Sequence, residues 1–124
     1  MLRILALTGA LLVLSIGATA SALGQGTMAP ALKGTVGPGF TISLKKAGKS
    51  FRSLRAGTYT ITVSDKASIH NFTLERETKP KIEKHITSTA FRGTKTIKIA
   101  LKKGVWKFYC SVHESTIHGF FRVR

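Results

Sequence analysis

Residues 104–113 read GVWKFYCSVH and contain the only cysteine of the chain, Cys110. Trp106, Phe108 and Cys110 fall at alternate positions, which is the period-two pattern of a strand with one buried face. The cysteine is therefore predicted to point into a core at the end of a strand. His113 follows three residues later, after the alternation has stopped.

The same alternation recurs through most of the chain. The run TYTITV at 58–63 alternates threonine with apolar, mostly β-branched residues, which favours a half-buried strand. No segment shows sustained helical periodicity, and turn signals recur at intervals of roughly ten residues. These features predict an all-β protein, an antiparallel Greek-key β-sandwich of about seven to eight strands. The charged segment 75–84, which contains Pro80, is expected to be either a connection or a poor edge strand.

The first residues have the pattern of a targeting segment. Arg3 precedes an apolar stretch at 4–16, and small residues spaced for cleavage follow at 18–22. We expect a signal peptide over 1–22, a flexible leader over 23–33 and one domain over 34–124. The alternative is an uncleaved N-terminal anchor. Signal cleavage would leave no transmembrane segment, and the protein would be periplasmic, extracellular or associated with the cell envelope.

The charge is strongly basic, with 20 lysines and arginines against 5 acidic residues. Such a field would attract an acidic redox partner protein or an anionic envelope surface. The export signal argues against nucleic acid, and a monomer is expected. The chain has no catalytic triad spacing, no acidic pair and no phosphate-binding glycine loop, so it is not expected to be an enzyme.

His70 has the strand parity of Phe72 and Leu74 and is therefore predicted to point inward, as Cys110 does. A buried histidine needs a hydrogen bond or a metal. Two histidines and one thiolate at the end of a β-sandwich form the ligand set of a trigonal blue-copper site. The alternative for Cys110 is an inert buried thiol or one half of an intermolecular disulfide.

Residues 104–113 resemble the G-x-(aromatic)-x-F-Y-C-x-x-H run of plastocyanin and related cupredoxins. Residues 69–72, which read IHNF, resemble the upstream ligand segment of that family, in which histidine is followed by asparagine. The resemblance extends over about 34–124 and implies one copper ion that cycles between Cu(I) and Cu(II). The residues it assigns as copper ligands are His70, Cys110 and His113. It also implies that Asn71 and Ser111 join the two ligand loops and that Tyr109 is one electron exit.

The chain departs from the family at the axial position, where a methionine usually precedes a glycine by two residues. Ile117 stands there and has inward parity, so it is expected to face the metal without coordinating it. The alternative axial residue is His118, eight residues after Cys110. The loop also has Val112 where the family commonly has proline.

Three functions are compatible with these features. The first is an exported mononuclear copper protein that shuttles single electrons. The second is a copper-binding module for copper delivery, storage or resistance. The third is a basic cupredoxin-like interaction domain without a redox role.

Overall fold

The computed structural model describes residues 28–124, and the predicted signal peptide lies outside them. The described part of the chain is all-β and contains nine strands. Within it, no helix is long and apolar enough to cross a membrane. The strands are β1 (Ala31–Val36), β2 (Ile42–Lys46), β3 (Ser53–Leu54), β4 (Gly57–Asp65), β5 (Thr73–Arg76), β6 (Ile82–His85), β7 (Gly93–Leu101), β8 (Gly104–Tyr109) and β9 (His118–Val123).

The strands form two sheets, and both sheets are mixed. The first has the order β2-β1-β4-β7 and the second the order β3-β9-β8-β5-β6. The predicted sandwich is confirmed, but a purely antiparallel one is wrong, because β1 pairs parallel with β4 and β3 pairs parallel with β9. Period-two alternation reports which face of a strand is buried and carries no information about the direction of its neighbour.

The expected leader over 23–33 extends too far, because residues 31–33 belong to β1. Leu32 is 1% exposed and lies opposite Ile61 in the sheet. The inward position after Leu32 is occupied by Gly34, and a Cβ there would lie 2.8 Å from the Phe72 ring. The inner face of β1 thus has no side chain at Gly34, where the Phe72 ring packs. Because this inward position is not occupied by an apolar residue, the sequence of β1 does not show the alternation expected of a strand.

The core fills the space between the two sheets. Ile61 and Val63 of the first sheet and Leu74 and Trp106 of the second are fully buried within one cluster. The segment 75–84 runs from the end of β5 into β6, an edge strand of the second sheet that carries mainly charged, exposed residues. Two long loops, 66–72 after β4 and 110–117 after β8, carry the three candidate ligands predicted from the sequence.

Candidate metal centre

The three predicted ligands converge on one small space. His70 and Cys110 are both 0% exposed, and His113 is half-buried. The Cys110 Sγ lies 3.8 Å from the His70 Nδ1 and 3.7 Å from the His113 Nδ1. The two Nδ1 atoms are 3.1 Å apart. Together, these three side chains form a group that could hold a metal ion.

The triangle of donor atoms has the size that a trigonal metal requires. A metal–nitrogen bond of about 2.0 Å and a metal–sulfur bond of about 2.3 Å, spread at 120°, give a sulfur–nitrogen edge of about 3.7 Å. Both sulfur–nitrogen edges of this site have that length. The nitrogen–nitrogen edge is shorter than the corresponding value of about 3.5 Å, so a metal would move the two imidazoles slightly apart. One thiolate and two imidazoles are the donor set of blue-copper sites.

Backbone hydrogen bonds shape the loop that carries two of the donors. The His113 N–H donates to the Cys110 carbonyl at 3.1 Å, and the Ile117 N–H donates to the His113 carbonyl at 2.9 Å. The Cys110 N–H in turn donates to the Ile117 carbonyl at 3.1 Å, which closes the loop on itself. Cys110 and His113 are thereby held on one compact turn, three residues apart.

Asn71 connects the two loops that carry the donors. Its Nδ2 donates to the Ser111 Oγ at 2.7 Å and to the Thr89 Oγ1 at 3.2 Å. Its Oδ1 accepts from the Ser111 N–H at 2.9 Å and from the Thr73 Oγ1 at 3.0 Å. The Asn71 N–H also donates to the Cys110 Sγ at 3.4 Å. The asparagine therefore sets the position of the His70 loop relative to the cysteine.

The two candidates for the axial position lie in different environments. Ile117 is 1% exposed, whereas His118 is exposed at the start of β9. The His118 Nδ1 donates to the Glu114 carbonyl at 2.8 Å, and its ring lies edge-on to Phe120. Among the described residues, His118 is not part of the group that could hold a metal. His85 lies apart on β6, where its ring nitrogens contact Thr73 and Glu83.

Phe40 is a component of the site that the sequence did not reveal. It lies in the loop between β1 and β2, and its ring stands edge-on to both His70 and His113 at centroid distances of 5.0 and 4.9 Å. Metal-binding histidines usually donate their second ring N–H to a hydrogen-bond acceptor. Among the described residues, the His70 Nε2 is buried and has no such partner, so the packing against Phe40 contributes more to the orientation of this ring. The contact joins distant segments, and only the tertiary structure reveals it.

Tyr109 lies on the outer face of the second sheet, as its parity predicts, but it is only 4% exposed. Its hydroxyl donates to the Glu75 Oε2 at 2.8 Å, and the Lys107 ammonium lies 4.3 Å from the ring centroid. The outward parity therefore does not bring this side chain to the surface, because a layer of charged side chains covers it. Burial and the hydrogen bond to Glu75 raise the pKa of Tyr109.

The charged layer connects the candidate metal loop to the sheet beneath it. Lys107 pairs with Glu114 in the loop and with Glu77 after β5, the latter at 3.0 Å. Burial acts to lower the pKa of Lys107, but its bonds to the two glutamates outweigh this effect and raise the pKa. Burial likewise acts to raise the pKa of Glu75, and hydrogen bonds from Lys81 and Tyr109 more than offset it, so the pKa is lowered.

Comparison with solved structures identifies the fold. The copper protein rusticyanin superposes with a TM-score of 0.55 at 15% identity, over 76% of each chain. Auracyanin A, a blue copper protein from the green thermophilic photosynthetic bacterium Chloroflexus aurantiacus, has a TM-score of 0.49 at 15% identity, over 76% of this chain and 98% of that one. No protein-family model matches the sequence, and no curated protein matches it. The rusticyanin superposition shows that the chain has the cupredoxin fold.

Proposed function

We propose that this protein is an exported, mononuclear copper protein that carries single electrons and is not an enzyme. The observation that carries the proposal is the triangle formed by the Cys110 Sγ and the Nδ1 atoms of His70 and His113. Bound copper would supply a one-electron couple between Cu(I) and Cu(II). The cupredoxin fold and the copper proteins that share it support the same function.

The surroundings of the three donors suit rapid electron transfer. Asn71 and the closed loop at 110–117 hold the donor atoms from both sides. Donors held in this way change position little between oxidation states, which keeps the reorganisation cost low. His113 is the least buried of the three, so its ring edge is the proposed electron exit. Tyr109 provides a second proposed route for electrons, through its contacts with Glu75 and Lys107 in the charged layer that covers it.

The proposed axial position is occupied by Ile117, with His118 as a rim residue. An aliphatic side chain donates no electron pair, so it would favour Cu(I) and raise the reduction potential relative to a site with an axial donor. The burial of Ile117 and the exposure of His118 support this assignment.

The test is the visible absorption and EPR spectrum of the protein loaded with Cu(II). We expect an intense thiolate-to-copper absorption band and a small copper hyperfine splitting, and we expect Cys110→Ser to abolish both. His118→Ala should leave the spectrum unchanged, whereas Ile117→Met should shift it. A weak spectrum with large splitting, or the lack of stoichiometric copper binding, would refute the blue-copper site.

A second candidate is a module for copper delivery, storage or resistance, and the aliphatic Ile117 is the observation that favours it. Such a module would bind Cu(I) tightly and would not need reversible oxidation. Voltammetry separates the two functions. Reversible cycling at an accessible potential supports electron transfer, and irreversible loss of copper upon oxidation supports delivery or storage.

A further inference from the structure

The glutamates of this protein lie beside one of its two sheets, whereas lysines and arginines lie on both. The five acidic residues of the whole chain are Asp65, Glu75, Glu77, Glu83 and Glu114. Asp65 is buried, and the four glutamates lie on β5, β6 and the loops beside the second sheet. Each glutamate is paired with a lysine or a histidine. The excess positive charge is therefore not compensated on the first sheet.

The outer face of the first sheet consists of lysines set among threonines and serines. The inward positions of β4 are apolar or Asp65, so Thr60 and Thr62 point outward, and cross-strand partners share their face. Lys33 is in register with Thr62, and Lys98 is in register with Thr60. We call these outward-facing side chains of β1, β2, β4 and β7 the lysine–threonine face.

Two lysines of this face repel each other. Lys33 of β1 and Lys45 of β2 are direct cross-strand partners, and both are exposed. Like charges directly opposite each other on neighbouring strands are destabilising, and the outward-facing positions of these four strands carry no acidic residue that would relieve the repulsion. An anion bound between the two ammonium groups would remove this cost.

We propose that the lysine–threonine face binds a linear polymer of phosphate groups. Lysines supply the charge, and threonine hydroxyls supply hydrogen-bond donors of the kind that contact phosphate oxygens in nucleic-acid backbones. Four adjacent strands spaced about 4.8 Å apart offer several such contacts in a row. A polymer can use this repetition, whereas a single phosphate cannot.

The composition of the face favours a polymer over a protein or a membrane. Protein interfaces are enriched in aromatic residues, methionine and arginine and depleted in lysine. The exposed large hydrophobic residues among the described residues are Met28, Phe40, Ile69, Val112 and Phe120, and none lies on this face. The face thus offers neither an apolar anchor for a protein nor a side chain that would enter a bilayer.

The binding surface is separate from the candidate metal centre. The face lies along the side of the sandwich, whereas the three donors occupy loops at one end of it. A polymer bound across the strands of this face would therefore leave the His113 edge accessible. The proposal does not depend on the proposed copper function, and it is tested without metal.

The experiment is a calorimetric titration of the purified protein with long-chain inorganic polyphosphate at several salt concentrations. The test variant is K33Q/K45Q/K98Q, and the matched control is K79Q/K84Q/K102Q, which removes three exposed lysines from other surfaces. We expect the test variant to lose about tenfold or more in affinity and to flatten the slope of log K against log salt by roughly 2. The control should change the affinity much less.

Thermal unfolding checks that the test variant remains folded. Because K33Q and K45Q remove a like-charge pair, we expect the variant to unfold at a temperature no lower than that of the parent protein. An equal loss of affinity in both triple variants would overturn the proposal, because the net charge alone would then explain binding. Tighter binding to polyglutamate or to vesicles rich in phosphatidylglycerol would also overturn it, in favour of an acidic protein or a membrane.

Discussion

Replacing Asn71 with alanine tests whether one side chain holds the two donor loops together. The substitution removes four hydrogen bonds, to Ser111, Thr89 and Thr73, from a residue that is 4% exposed. A hydrogen bond contributes about 0.5–1.5 kcal/mol net, and a buried group left without a partner costs more. Water can replace Asn71 at the exposed Ser111, whereas the buried Thr73 loses one of its two side-chain partners and keeps only His85. We therefore expect the free energy of unfolding to fall by about 2 to 4 kcal/mol.

The assay is urea unfolding of the metal-free protein, so that metal binding does not contribute to the result. Thr89→Ala is the matched control, because it removes only the longest of the four hydrogen bonds, at 3.2 Å, and we expect it to cost about 1 kcal/mol or less. In the Cu(II)-loaded protein, Asn71→Ala should also weaken copper binding, since the His70 loop is no longer fixed to Ser111. A loss below about 1 kcal/mol for Asn71→Ala, or equal losses for both variants, would show that backbone contacts alone hold the loops.

Three further predictions concern packing and charge. Phe40→Ala should release metal to a chelator at least about two to ten times faster, because one edge-on aromatic contact contributes about 0.5–1.5 kcal/mol and Phe40 makes two of them. Gly119→Ala should destabilise the protein by about 1 to 3 kcal/mol or more, because the new Cβ would lie 2.2 Å from the Phe108 ring. Glu75→Gln should cost about 1 to 3 kcal/mol at neutral pH. That cost should shrink as the pH falls below 4.5 and through the lower pKa of the folded protein, because a carboxyl with a lowered folded pKa stabilises the fold only while it is ionised.

Each of these predictions has a control and an outcome that contradicts it. Phe40→Leu keeps an apolar cover without a ring, so equal release rates for this variant and the parent protein would exclude aromatic packing as the cause. Gly39→Ala places its Cβ in open space and should be nearly neutral in a urea titration; a similar loss at both glycines would contradict the steric argument. For Glu75→Gln, a stability difference that does not change with pH would show that ionisation of this carboxyl is unimportant.

The sequence carried much of the information on fold and site, and the limits of that information have physical causes. Alternation placed His70 and Cys110 on inward faces because a strand repeats every two residues, and the short loop after Cys110 brought His113 near. The direction of β1 and β3 could not be predicted, since pairing partners are distant in sequence. The start of β1 was missed because Gly34 leaves its inner face bare. The role of Phe40 and the burial of Tyr109 beneath the charged layer could not be predicted. Both depend on contacts between segments that are distant in the sequence.

The complete burial of Cys110 affects how readily the metal-free protein is oxidised. Its thiol is 0% exposed, and the Asn71 N–H points at the sulfur. In the folded chain this sulfur cannot reach a second chain or a large oxidant without local opening of the loop. If the protein is exported as proposed, its metal-free form should therefore remain free of disulfide-linked dimers in an oxidising compartment. The Cys110 thiol is exposed to oxidation only between synthesis of the chain and completion of folding.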